Sequence, residues 1–167
     1  MKSQFPGWRS VEEGHVGFMG PPDAVASPSY EQVCKGDTGH VEVFHLKFSG
    51  GANTYEELVR YFFQFHDPTT QDRQINDVGT QYASVIYYHD ETQKHIATMV
   101  RDQLQEYIND GTITCFTDKT VTTAIKPATV FYIAKEEHQE YLLKNPKGYC
   151  NHRVRFKAWP DRRVQEK

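Results

Sequence analysis

The sequence contains no apolar run of the ~18 residues needed to span a bilayer, and its mean hydropathy is −0.70. No membrane span is expected. The first ten residues carry no apolar stretch of the kind a secretory leader needs, so no secretory signal is read there. Cysteine is scarce: Cys34, Cys115 and Cys150 are odd in number and far apart. That excludes a disulfide framework and a zinc ribbon, and it fits a reducing, cytoplasmic compartment. The eight histidines form no cluster with ligand spacing, so a metal site is not expected. Positive charge is not in excess. The net charge is −3 and the pI about 6.2, which argues against broad, charge-driven binding of nucleic acid. Repeats and low-complexity segments are absent.

The chain has 167 residues, 38% hydrophobic and 25% charged. That is one domain, long enough to bury a core without disulfides or metal. The expected organisation is a single domain over residues 1–150 and a basic tail over 151–167. From His152 onward six Lys/Arg oppose Asp161 and Glu166, which leaves the rest of the chain at −7. Such a tail is expected to be a solvated extension, although Phe156 and Trp159 could pack it down.

Residues 8–18 can hold a short strand, and residues 40–48 (HVEVFHLKF) alternate as a strand does. Thr54-Tyr-Glu-Glu57 has the capping-box pattern and predicts a helix start, with Tyr55, Leu58, Val59, Phe62 and Phe65 facing inward. His66-Asp67-Pro68 should end it. Residues 69–81 read as a long polar loop, of a kind often functional. A strand is expected over 82–88, then a helix from an Asp90 cap to about Asn109, with Ile96, Met99, Val100, Leu104, Tyr107 and Ile108 inward. Residues 113–116, 120–125 and 130–134 are β-rich, and 135–144 reads as a short helix. The fold class is therefore α+β: helices layered on a largely antiparallel, mixed sheet.

Three places could carry chemistry. Glu42 shares a strand face with Phe44, Leu46 and Phe48. A carboxyl desolvated there would hold its proton into the range of a general acid; the bland alternative is an exposed or salt-bridged strand end. The polar run Asn76-Asp-Val-Gly-Thr-Gln-Tyr82 enters a strand and could line a site, or could be a plain turn. Cys150 lies just before the basic tail, where a thiol is accessible and a neighbour such as Arg153 favours its thiolate. Cys115 is expected in the core. His40-x-Glu42 resembles part of a zinc deaminase signature, but no Pro-Cys-x-x-Cys follows.

Four stretches together resemble the methionine sulfoxide reductase A family, which reduces the S-epimer of methionine sulfoxide. They are Pro28-Ser-Tyr-Glu-Gln-Val-Cys34 running into Gly36-Asp-Thr-Gly-His-Val-Glu42; Phe65-His-Asp-Pro-Thr-Thr70; Arg73-Gln-Ile-Asn-Asp-Val-Gly-Thr-Gln-Tyr82; and Glu137-His-Gln-Glu-Tyr-Leu with Lys144-Asn-Pro-Lys-Gly-Tyr-Cys150. The resemblance implies that fold, an α/β sandwich. It implies that Glu42 protonates the sulfoxide oxygen, that Tyr30 and Tyr82 hold that oxygen, that Asp77 orders the site, and that Cys150 is a recycling thiol. It implies oxidised proteins or free methionine sulfoxide as substrates, thioredoxin as external reductant, no resident cofactor, and a monomer acting in the cytoplasm or in mitochondria.

The chain departs from the family in three ways. The family's nucleophile sits in Gly-Cys-Phe-Trp on a first strand, and that motif does not occur in these 167 residues. The first strand, the nucleophile and the aromatic cradle for the methyl group are thus expected to be missing, and the turnover of this chain negligible. A non-catalytic homologue that binds oxidised methionine or a partner protein is the alternative reading. Residues 11–20 (VEEGHVGFMG) place Phe18 where the family has tyrosine. The tail lacks a second recycling cysteine.

Overall fold

A computed structural model describes residues 8–150 and 152–160, apart from the Trp8 side chain. The tail charges Arg162, Arg163 and Lys167 lie outside the described residues.

The chain order is strand β1 (Val11–Met19), helix α1 (Tyr30–Cys34), β2 (Val41–Phe48), α2 (Gly51–Phe65), β3 (Arg73–Gln74), β4 (Asp77–Val78), β5 (Val85–Tyr88), α3 (Glu91–Asn109), β6 (Ala124–Pro127), β7 (Tyr132–Ile133) and α4 (Tyr141–Lys144). Short 3₁₀ turns cover Trp8–Ser10, Thr80–Tyr82 and Glu136–His138. Three sheets result. The largest runs β2-β1-β7 and is antiparallel; β5 and β6 pair in parallel; β3 and β4 make a two-residue antiparallel pair. Among the described residues, the second edge of β2 has no ladder partner, and neither has the second edge of β5. A cleft of about 530 Å³ is lined by Val41 of β2, Val85 of β5, Ala124 and Lys126 of β6, and Gly36, Asp37 and Thr80.

The main core lies between α2 and α3 and one face of the β5–β6 pair. Tyr55, Val59 and Phe63 of α2 meet Ile96, Ala97, Val100, Leu104, Tyr107 and Ile108 of α3, with Ile86 and Ile125 packed beneath. The helix α3 begins where the sequence predicts: Asp90 accepts a hydrogen bond from the Gln93 amide at 2.8 Å, filling one of the open donors of the first turn. Met99, expected inward, is instead exposed.

Several other expectations are corrected. Helix α2 starts at Gly51, not at a Thr54 cap; Gly50 turns the chain with φ 105°, which a side chain resists. Phe63, outside the expected stripe, is its most deeply buried residue. The polar stretch 69–81 is no simple loop but folds into the β3–β4 pair. Residues 113–116 form no strand, and Cys115 is exposed rather than in the core. The helix expected over 135–144 is split: Glu140 takes φ 53°, and the Gln139 side chain leaves the helical path. Its amide accepts from Val16 N at 3.0 Å and donates to Val16 O at 2.9 Å, so it stands in for a strand where β7 has ended.

The tail is not a solvated extension over 152–160. Arg153 N donates to Phe65 O at 3.1 Å and Arg155 N to Gln64 O at 2.7 Å, both at the end of α2. Trp159 donates to Arg60 O at 3.1 Å while the Arg60 guanidinium lies 4.7 Å over its ring. The buried Arg155 side chain reaches Asp67 at 3.9 Å. Asp67 also accepts from the amides and hydroxyls of Thr69 and Thr117. Burial works to raise its carboxyl, but these donors outweigh it, and it titrates below the ordinary range.

Candidate active site

In the β1–β2 ladder Phe18 lies directly opposite Glu42. Opposed residues of an antiparallel pair share a face. Phe18 is buried at 4% exposure, and its ring is 6.4 Å from that of Tyr30. Tyr30 opens α1, whose start is a reciprocal capping box: Ser29 Oγ accepts from Gln32 N at 3.2 Å, and Gln32 Oε1 accepts from Ser29 N at 2.7 Å. On its other side the Tyr30 ring stacks on His138 at 4.2 Å.

Tyr82 arrives on the 3₁₀ turn Thr80–Tyr82. Two long-range hydrogen bonds fasten this turn to the end of α1: Gln81 Nε2 donates to Cys34 O at 3.0 Å, and Thr80 Oγ1 to Gly36 O at 3.2 Å. Gly79 precedes it with φ 146°, and a Cβ there would collide with Gln81 Oε1, so only glycine serves.

The electrostatics join these groups. Glu42 remains open to solvent on one side, yet surrounding protein raises its carboxyl above the ordinary range, and Asp77 of β4 raises it further. The Tyr30 hydroxyl is pushed up as well, first by its hydrogen-bonding interaction with the Cys34 thiol, then by burial, then by the charges of Cys34, Glu42 and Tyr82. Burial raises Tyr82, with Glu42, Cys34 and Asp77 adding to it. Two phenol O–H groups and a carboxyl whose neutral form is favoured can donate to an acceptor oxygen of high basicity.

Glu42 thus acts electrostatically on Tyr30 and Tyr82, and Asp77 on Glu42 and Tyr82. Cys150 is exposed, its Sγ 3.9 Å from His152 O. The His152 ring stacks on Phe65. Reasoning from the sequence gave no role here to His138 or to Cys34, which it set aside as a nucleophile, and read Gln81 only as part of a polar run that could line a site. Cys34 had one signal, the i, i+4 spacing from Tyr30. Among the described residues no group of three or more His, Cys, Asp and Glu could hold a metal ion.

The family model for peptide methionine sulfoxide reductase matches residues 1–166. The chain belongs to the peptide methionine sulfoxide reductase family. The reductase MsrA of Acinetobacter baumannii (strain AYE) is 44% identical over 144 residues, covering 86% of this chain and 76% of its own. That of Methanothermobacter thermautotrophicus is 46% identical over 140 residues, covering 84% and 78%. In structure the chain is similar to reduced Mxr1 of Saccharomyces cerevisiae, with TM-score 0.75 and 32% identity over 89% of this chain and 80% of that one. It is also similar to methionine sulfoxide reductase A of Corynebacterium diphtheriae, with TM-score 0.72 and 32% identity over 89% and 71%. The α+β architecture read from the sequence is thus the reductase fold, and the chain falls in an oxidoreductase family.

Proposed function

We propose that this corner binds the sulfoxide group of methionine-S-sulfoxide, free or in oxidised proteins, and supports its thiol-dependent reduction. One observation supports the reading: the carboxyl of Glu42 is held above the ordinary range, and its charge acts on the hydroxyls of Tyr30 and Tyr82. Tyr30 and Tyr82 donate to the sulfoxide oxygen. A thiolate attacks the sulfoxide sulfur while Glu42 gives its proton to the oxygen. The S–O bond to methionine breaks, methionine leaves, and the oxygen stays on the cysteine as a sulfenic acid. Burial, and after it the charge of Asp77, raise Glu42 and so favour its holding that proton.

Recycling follows thiol chemistry. A second thiol, Cys150 in this chain, attacks the sulfenic sulfur and expels water. An external dithiol of the thioredoxin class then reduces the disulfide by exchange. No step calls for a resident cofactor. The protein is read as a monomer working in a reducing compartment.

Calorimetric titration with N-acetylmethionine-S-sulfoxide, its R-epimer and N-acetylmethionine tests the reading. Binding of the S-epimer alone, lost in the Glu42→Ala, Tyr82→Phe double variant, is the expected result. Equal binding of both epimers, or none, would overturn it.

A further inference from the structure

A separate cavity, of about 350 Å³, lies on the same sheet face as Glu42. The ladders place it. Glu42 is opposite Phe18, and Phe18 is opposite Tyr132, so the three side chains share one face of the β2-β1-β7 sheet. His40 reaches that face too: its ring meets the Tyr132 ring edge-on, with centroids 5.7 Å apart. His40 and Tyr132 line the cavity together with Pro21, Pro22, Ala24 and Val130. Among the described residues no charged side chain lines it. Val130 is 61% exposed, so the cavity opens to solvent there.

His40 gives this apolar cavity its polar end. The residue is only 2% exposed. Its Nδ1 lies 3.2 Å from Thr38 O, a carbonyl that can only accept, so Nδ1 carries the proton. Burial lowers the titration of the imidazole, which keeps the ring neutral at pH 7. Nε2 is then a bare acceptor, and among the described residues nothing donates to it. The adjoining ring atom Cδ2 would stand 3.1 Å from a Cβ at Gly20, so the Nε2 edge lies against a glycine that itself lines the cavity. Thr129 does not serve Nε2: its hydroxyl donates to Gly20 O at 2.5 Å and its amide to Met19 Sδ at 3.4 Å. A buried acceptor without a donor is costly, and the cavity is short of one donor.

We propose that this cavity takes a tryptophan side chain of the protein substrate, two positions from the oxidised methionine, whose indole N–H donates to His40 Nε2. The proposal rests on the sulfoxide reading above and adds a sequence preference to it. Volume, charge and hydrogen bonding select the occupant. The cavity has the size of sites that enclose a small organic group. Its uncharged walls disfavour Lys, Arg, Asp and Glu, whose charges would be desolvated without a partner. A lone acceptor calls for an apolar body with one donor. Indole is a donor only, whereas a phenol would bring acceptor lone pairs that find no free donor here. Spacing selects the position. His40 and Glu42 are two residues apart on one face, about 7 Å along the strand, and alternate side chains of an extended peptide repeat at the same interval.

The experiment is a calorimetric titration of the 167-residue chain with capped pentapeptides. The probe has methionine-S-sulfoxide at its centre, glycine on each side and tryptophan at both ends, so that either chain direction is served. The first control replaces both tryptophans by benzothienylalanine, which keeps the shape and lacks the N–H. The second carries the R-sulfoxide. The tryptophan peptide is expected to bind about five- to tenfold tighter than the benzothienyl peptide, the value of one hydrogen bond to a buried acceptor. In His40→Phe the two should bind alike, with the preference for the S-epimer kept. Equal affinities of the two peptides for the unsubstituted chain, with the S-epimer still preferred, overturn the proposal and leave the sulfoxide reading standing; this comparison does not depend on a variant folding. A tryptophan preference that survives in His40→Phe also overturns the proposal alone. Equal binding of the two epimers overturns the sulfoxide reading, and the proposal with it, as does the absence of binding.

Discussion

Phe18 faces Glu42 across the β1–β2 ladder, with the phenyl ring buried and the carboxyl beside it. Burial is the larger cause that raises Glu42, and Phe18 is the buried ring opposite it in the ladder. Along its own strand the neighbour Phe44 is 49% exposed and gives little shelter. An apolar wall on one side and the charge of Asp77 on another both disfavour the carboxylate.

Glu42→Gln removes the transferable proton but keeps the shape. Methionine formation is expected to slow by about 10²-fold at neutral pH. Because Glu42 is active when protonated and its titration is raised, activity should fall as pH rises through that titration. In the variant this limb should vanish. A pH–rate profile in single turnover checks both statements; an unchanged rate would remove Glu42 from the chemistry.

Phe18→Leu thins the wall beside Glu42. The alkaline limb should move to lower pH, because a better-solvated carboxyl ionises sooner. A melt should show a loss on the order of 1 kcal/mol from the smaller buried side chain. A pH–rate profile superimposable on that of the parent would show that Phe18 does not set the acid.

His66 gives stability a pH dependence of known sign. Burial pushes its imidazole down to about 4 from the model-peptide 6.5, and the ring lies between Phe62 O and Ser84 Oγ, each at 2.7 Å. Between those two pH values the unfolded chain takes up a proton that the folded chain refuses. Stability should therefore fall as pH drops from about 6.5 towards 4, by about 3 kcal/mol in total from this group, and stay flat with respect to it above 6.5. Urea melts of the parent and His66→Gln over that range are the check. The variant should start less stable and show the shallower slope.

Asp67 and Arg155 should respond unequally. Asp67→Asn leaves the buried Arg155 guanidinium without its countercharge and weakens four hydrogen bonds, for a cost of about 3 kcal/mol or more. Arg155→Met removes a side chain whose Nε has no hydrogen-bond partner among the described residues, and should cost less. Asp67 adds its own acid limb: its stabilisation holds above the ordinary aspartate range and is lost as pH falls through the lowered folded value. Denaturant midpoints of the two variants at pH 7 decide the order; a reversal would place the energy in the arginine's packing.

Much of this was legible in the sequence where a local signal agreed with its surroundings. The Asp90 cap and the stripe of α3 are one case, and the alternation of β2 is another. Thr54 misled because a capping box is a local pattern, whereas Gly50 and Gly51 had already turned the chain into a helix. Gln139 was unreadable because its three hydrogen bonds reach Val16 and Ala134, contacts that exist only after β1 and β7 meet. The docking of Trp159 on Arg60 is likewise a tertiary event. At the site, the motifs pointed to Tyr30, Glu42, Asp77 and Tyr82. The place of Cys34 beside Tyr30 depends on α1 being helical through its last residue, which five residues of sequence do not dictate.

The docked tail changes what kind of object Cys150 is. Its thiol is not on a free end: α4 holds the chain before it, and Arg153 and Arg155 are pinned to Phe65 and Gln64 after it. A short loop closed at both ends samples a small volume. Any other sulfur of the same molecule within that volume is met at an effective concentration on the order of millimolar, whatever the dilution of the protein. Loosening the anchor at Arg155 or Trp159 would enlarge the volume and dilute Cys150 against its own molecule, so residues far from the sulfoxide corner would govern how often two thiols of one chain collide.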